Sequence, residues 1–272
     1  MAGQGKRKRE AAGASGSGAS KQRKHFYNHS SAAVPLHSRG FLVSCIGGRE
    51  RQAAHEAIAL LSEYLDEDTE EQPAQPDTGT QDFSKLIQEE VQELKSQRGK
   101  VFEWHKTNIN GLLYLSLSKD AESVDPVSLV TKIATDVKQS KQCKSRACLR
   151  FLPIQTVCHA KLEDIRTAAA KLCKDAFPGD QATPTTFAVA YEHRASVSLK
   201  RGEVIDAVVD GVPQPPHKVN LDNPDKTIIV QLIKSNCAMS IVGQYKQLGK
   251  FNLRELSLKD EEAAKTADKN PP

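Results

Sequence analysis

The stretch KVNLDNPDKTIIVQLIKSNCAMSIV, residues 218–242, decides the fold. Ile228, Ile229, Val230, Leu232 and Ile233 form an apolar run broken only by Gln231. A run of this kind marks a strand buried on both faces. "KSN" at 234–236 reads as the turn that ends it, and CAMSIV as the returning strand. The residues upstream fit the same picture. KLEDIRTAAAKLCKDAF is a helix with Leu162, Ile165, Ala169 and Leu172 on its inner face, TTFAVAYEHR is a strand, and KRGEVIDAVVDGV is a second helix. Strands alternating with helices predict a mainly parallel sheet covered by helices. In such sheets ligands collect at strand ends and the loops around them. Lys234 and Asn236 are therefore expected at a sheet rim, as phosphate contacts or as parts of a solvated turn.

Further upstream the pattern changes. GFLVSCIGGRE (40–50) is a short strand closed by a glycine turn, and RQAAHEAIALLSEYL repeats Ala54, Ile58, Leu61 and Leu65 at helical spacing. An acidic stretch at about 66–81 reads as a flexible loop. DFSKLIQEEVQELK reads as a helix with Asp82 as a possible N-cap. KVFEWHKT and GLLYLSLS are strands joined by NING, and Asp125 before Pro126 opens a helix carrying Val127, Val130, Ile133 and Val137 on one face. CLRFLPIQTVC reads as a strand. The order strand–helix–strand–strand–helix–strand is that of a ferredoxin-like unit. The expected fold class is α/β, or α+β: a basic disordered tail at 1–37, a ferredoxin-like domain at 38–144 with the acidic insert, a second α/β domain at 145–256, and a disordered tail at 257–272.

The net charge of +4 is built from opposed blocks. Residues 1–40 hold eight Lys or Arg against Glu10, residues 63–93 eleven acids against Lys85, and residues 132–174 ten Lys or Arg against three acids. The tail buries too little apolar surface to offset its chain entropy. Blocks of one sign point to a polyanion partner for the basic region, or to ordinary solvated surface. KRKR (6–9) and KQRK (21–24) resemble a two-part nuclear import signal, which leads to the expectation of a nuclear or nucleolar chain; the other reading of the same residues is a basic tail that touches RNA. The six cysteines, at 45, 143, 148, 158, 173 and 237, lack zinc-knuckle spacing and read as reduced thiols, with no metal. No apolar run approaches the ~20 residues of a membrane helix.

Nothing in the sequence calls for catalysis. There is no G-x-x-x-x-G-K-[ST] or G-x-G-x-x-G loop for a phosphate-bearing cofactor, and the "IGGRE" turn at 46–50 reads as a tight turn. His55, His105, His159 and His193 have no nucleophile or carboxylate at catalytic spacing. No cofactor or small-molecule substrate is expected. The basic residues suit a phosphate backbone. Lys138, Lys141, Lys144, Arg146 and Arg150 lead into the second domain, Lys161 and Arg166 follow, and Arg194, Lys200 and Arg201 sit between strand and helix. These are expected to converge at one rim with Lys218, Lys226, Lys234 and Asn236. Arg150 alternates with Leu149 and Phe151, so a structural ion pair is an equal expectation for it.

RACLRFLPIQTVCHAKLEDI, TFAVAYEHR, GEVIDAVV and KVNLDNPDKTIIVQLIKSNCAMSIVGQYKQLGKFNL follow one another in that order. Together they resemble a THUMP domain, an RNA-binding module of tRNA-modifying proteins that usually follows a ferredoxin-like unit. The resemblance covers about 40–256. Only SLKDEEAAKTADKNPP follows, which leads to the expectation of no catalytic domain. The basic tail, the acidic insert and the terminal THUMP are similar to a eukaryotic adaptor subfamily. That resemblance implies a tRNA-binding protein that helps a separate cytidine acetyltransferase form acetylcytidine in serine and leucine tRNAs. The alternative is a general nuclear RNA-binding protein of RNA processing or ribosome assembly.

Overall fold

A computed structural model describes residues 34–70, 101–179, 183–195 and 199–258. The basic clusters at 6–9 and 21–24, the expected helix from Asp82 and the C-terminal tail beyond Leu258 lie outside the described residues, whereas Ser257 and Leu258, read as part of that tail, are helical.

The first unit runs β1 (Gly40–Cys45), α1 (Glu50–Glu70), β2 (Phe102–Ile109), β3 (Leu112–Leu117), α2 (Pro126–Ser140) and β4 (Cys148–Ile154). Its strands lie in the order β2-β3-β1-β4, each antiparallel to its neighbour. The element order read from the sequence is thus observed. Helix α1 continues to Glu70, past the point at 66 where a loop was expected. Helix α2 starts as expected: the Asp125 carboxylate accepts the Val127 and Ser128 N–H groups at 3.2 and 2.9 Å, and Pro126 occupies the first turn. Ala53, Ala57, Leu61, Val130 and Ile133 pack with Phe41, Leu113 and Phe151 in one core.

The second unit runs β5 (Thr156–His159), α3 (Leu162–Ala176), β6 (Thr186–Arg194), α4 (Arg201–Val209), β7 (Lys218–Val219), β8 (Lys226–Ile233) and β9 (Asn236–Gly243). Its sheet has the order β5-β9-β8-β6-β7. β6 is parallel to β7 and β8, but β9 is antiparallel to both β8 and β5. The sheet is therefore mixed, not mainly parallel. The reason is local, because the two-residue link Lys234–Ser235 only allows an antiparallel return.

CLRFLPIQTVC is likewise two strands. β4 belongs to the first sheet and β5 to the second, so the chain changes sheets at Gln155, later than the boundary read at 144/145. The Gln155 side-chain oxygen accepts the Ile241 N–H at 2.8 Å, and its own N–H donates to the Met239 carbonyl at 3.0 Å.

Strand β8 is buried on both faces, as its composition demands. Ile228, Val230 and Leu232 meet Ile165, Ala169, Val204 and Val208 of the two helices. Ile229 and Ile233 face the other way and join the core of the first unit, together with Tyr245, Leu248, Phe251, Leu253 and Leu256 of the closing segment.

Candidate nucleic-acid interface

Strands β5, β6 and β8 point the same way and finish at one end of the sheet. The Lys234 N–H donates to the Arg194 carbonyl at 3.2 Å, and the Ala160 N–H to the Ser235 carbonyl at 2.8 Å, which ties the three strand ends together. Lys234 has φ 54°, the left-handed conformation a turn of this length needs, and its side chain is exposed. Both helices of the unit begin at this edge. Lys161 stands at the N-cap of α3 and Lys200 at that of α4, neither end having a side-chain cap; Arg201 is the first residue of α4.

These are unusual cap residues. A helix N-terminus carries partial positive charge and favours Ser, Thr, Asp or Asn. A cation there works against the dipole. Glu203, 3.4 Å from Lys200, and Glu163 and Asp164 in the first turn of α3 offset part of this. A phosphate at the same place would meet open N–H groups, the dipole and the lysines together. Lys161, Arg194, Lys200, Arg201 and Lys234 are thus brought to one rim.

Arg194 is held by Glu192, which bridges two arginines: Oε1 lies 3.1 Å from Arg150 and Oε2 3.3 Å from Arg194. Arg150 comes from β4, so this triad joins the two units, and the structural pairing expected as one option for Arg150 is the one seen. The Arg194 Nε is buried with no hydrogen-bond partner among the described residues.

Other expected members lie elsewhere. Because β6 runs parallel to β7 and β8, Lys218 and Lys226 stand beside Thr186 and Phe187 at its start, a strand length of roughly 25 Å from Arg194. They do not converge with the rim. The Lys226 ammonium donates to the Ala176 carbonyl at 2.6 Å and lies over the Phe177 ring, closing the C-terminus of α3. Asn236 is only 6% exposed, and its amide donates to the Val34 carbonyl at 2.8 Å, so it anchors the segment before β1 and does not face solvent. Lys144 belongs to the first unit, 2.5 Å from Glu63 and beside Tyr64. Arg146 is exposed nearby, on a loop whose Ser145, Arg146 and Ala147 all donate to the Glu56 carboxylate.

The remaining chemistry is structural. The Gly48 N–H of the "IGGRE" turn donates to Glu50 and Asn110. His105 is buried, with Nε2 2.7 Å from Ser116 Oγ, and burial pushes its ring down in pKa. Among the described residues no group of three or more metal-ligating side chains assembles, and no helix is long and apolar enough to cross a membrane. One feature escaped the sequence: Tyr191 and His193 stack at 6.2 Å and 29°, with the Arg201 guanidinium 5.9 Å from the Tyr191 ring. The signal is present as alternation in "YEHR", but only the strand ends identify its place.

Residues 159–242, which run from the end of β5 into β9 and carry the rim, match the THUMP domain model. The chain carries a THUMP domain. The bovine THUMP domain-containing protein 1 is 30% identical over 231 residues, covering 80% of this chain and 63% of that protein. The Drosophila melanogaster THUMP domain-containing protein 1 homolog is 27% identical over 263 residues, 86% and 79% of the two chains. The Saccharomyces cerevisiae protein named tRNA acetyltransferase TAN1 is 28% identical over 269 residues, 89% and 92%. The chain thus spans less than two thirds of its bovine relative and most of its yeast one. Of these three names, only that of the yeast relative mentions tRNA.

Proposed function

We propose that the rim of Lys161, Arg194, Lys200, Arg201 and Lys234 grips the phosphate backbone of tRNA, and that the chain is a non-catalytic adaptor. It presents serine and leucine tRNAs to a separate cytidine acetyltransferase, which forms the acetylcytidine. The observation that carries the RNA reading is the placement of cations at two uncapped helix N-termini and one strand end, on the segment that matches THUMP. Backbone contacts position a folded RNA without reading its sequence, which suits an adaptor. The likeness to the yeast protein supports the acetylation context. The acetyltransferase in that relative's name belongs to that relative. In this reading the chain supplies binding, and the partner enzyme supplies acetyl-CoA chemistry. The import-type clusters at 6–9 and 21–24 direct it to the nucleus.

Reconstitution tests this. The purified chain with acetyl-CoA, ATP and serine tRNA leaves acetylcytidine at background, and adding the acetyltransferase raises it. Acetylation by the chain alone would make it an enzyme. In cells, its deletion removes acetylcytidine from serine and leucine tRNAs and spares ribosomal RNA; loss from both would favour the general RNA-binding role.

A further inference from the structure

We propose that Tyr191, His193 and Arg201 form a stacking platform for an unpaired RNA base beside the phosphate rim. This rests on the RNA reading and extends it from the backbone to a base.

Tyr191 and His193 are two apart on β6, so their side chains share a face of the sheet. Their rings lie near parallel, centroids 6.2 Å apart at 29°. The Arg201 guanidinium sits 5.9 Å from the centroid of the same tyrosine ring. Guanidinium, phenol and imidazole thus form one cluster, and its imidazole is exposed. A planar base stacked there extends a cluster that includes a cation, and Arg201 also belongs to the rim. A phosphate and its neighbouring base therefore find partners within one nucleotide's reach. Aromatic and guanidinium planes are the common surfaces on which splayed-out bases stack.

The strand edge supports the assignment. β7 covers β6 only at Thr186 and Phe187. The Phe187 carbonyl faces β7, accepting from the Asn220 N–H, whereas the Arg194 carbonyl faces β8, accepting from the Lys234 N–H. By alternation the main-chain groups of Val189, Tyr191 and His193 point to the uncovered edge. Among the described residues nothing pairs with that edge beyond Phe187. A base on His193 would lie beside free N–H and C=O groups, able to meet its polar rim. An edge left open on a strand is ordinarily blunted or covered, and here it adjoins the aromatic pair.

The test uses two RNAs, a blunt hairpin and the same hairpin with a four-nucleotide single-stranded extension, and reads binding to the full chain by fluorescence anisotropy. The wild type binds the extended RNA about tenfold more tightly. His193→Ala removes that advantage and leaves the blunt hairpin within twofold, and His193→Tyr restores it because a ring is back in place. Equal wild-type binding of the two RNAs overturns the platform, as does His193→Ala weakening both alike with no rescue by tyrosine. The rim is scored separately: if Lys234→Ala leaves blunt-hairpin binding unchanged, the backbone reading fails with its extension, whereas a platform failure with Lys234→Ala still weakening the blunt hairpin leaves the rim standing.

Discussion

Lys234 combines two roles that one substitution would confuse: a left-handed turn residue and a cation. Alanine keeps the same backbone strain as lysine, so Lys234→Ala is expected to leave Tm nearly unchanged while weakening tRNA binding. Lys234→Gly relieves the φ of 54° and should raise stability slightly, by roughly 0.5 kcal/mol, with the same loss of binding. Thermal melts and anisotropy on the pair separate charge from conformation. Glu192 gives the opposite test. It neutralises Arg150 and Arg194 from one carboxylate. Glu192→Gln is expected to lower Tm by a few degrees, since both arginines lose a half-buried partner, yet to tighten tRNA binding at low salt. Unchanged affinity would mean that Arg194 does not face the RNA. The sequence placed Lys234 correctly at a strand end. It misplaced Asn236, because a polar residue after a turn looks exposed until the chain before β1 is seen to cross it. Asn236→Ala should cost about 1–2 kcal/mol in denaturant melts and leave RNA binding alone.

At the scale of elements, composition predicts burial better than direction. The run Ile228–Ile233 requires a strand covered on both faces, and it is. Nothing in it says whether the next strand returns antiparallel. The expected convergence failed because Lys226 and Lys234 stand at opposite ends of the one strand β8, and Lys218 begins the parallel β7. The β4–β5 break was hidden for a related reason: Gln155 interrupts an apolar run too briefly to read as a boundary, and its side chain completes the ladder of β9. Three carboxylates hold loops to elements by accepting N–H groups. Glu50 accepts chiefly from Gly111 and is held below its usual range. Burial of Glu56 opposes ionisation, but bonds from Ala147, Ser145 and Arg146 outweigh it and lower its pKa as well. Asp225 is lowered by the Thr186 N–H and hydroxyl. A carboxylate depressed in the folded state adds stability above its unfolded pKa, and loses it as pH falls through the folded one. These carboxylates therefore predict an acid limb below about 4, the unfolded carboxylate range, and the buried His105, lowered by desolvation, adds an earlier loss that begins as pH falls through the unfolded imidazole value of about 6.5. In Glu56→Gln that acid limb should be shallower, measured by urea melts across the range.

Across the whole molecule one face of the second sheet shares the core of the first unit, while the other face has its own core under the two helices. Ile229, Ile233 and Val242 of the THUMP sheet pack in one cluster with Phe151 of the first unit and with Phe251 and Leu256 of the closing segment. The Arg150–Glu192–Arg194 triad crosses the same junction. Ile229→Ala should thus cost about 2–5 kcal/mol and unfold both units in a single transition, and two separate transitions in calorimetry would refute the shared core. A packed junction of this kind fixes where the rim lies relative to the first unit, as the proposed tRNA-binding role requires. The central claim, that this rim holds tRNA by its phosphates, is tested most directly by the salt dependence of serine tRNA binding. Five contacts predict a log–log slope of about −4, and Lys234→Ala with Arg201→Ala should flatten it by roughly 1.5 units at unchanged Tm. A double variant that keeps the parent's slope and affinity at low and moderate salt would show that the RNA is held elsewhere.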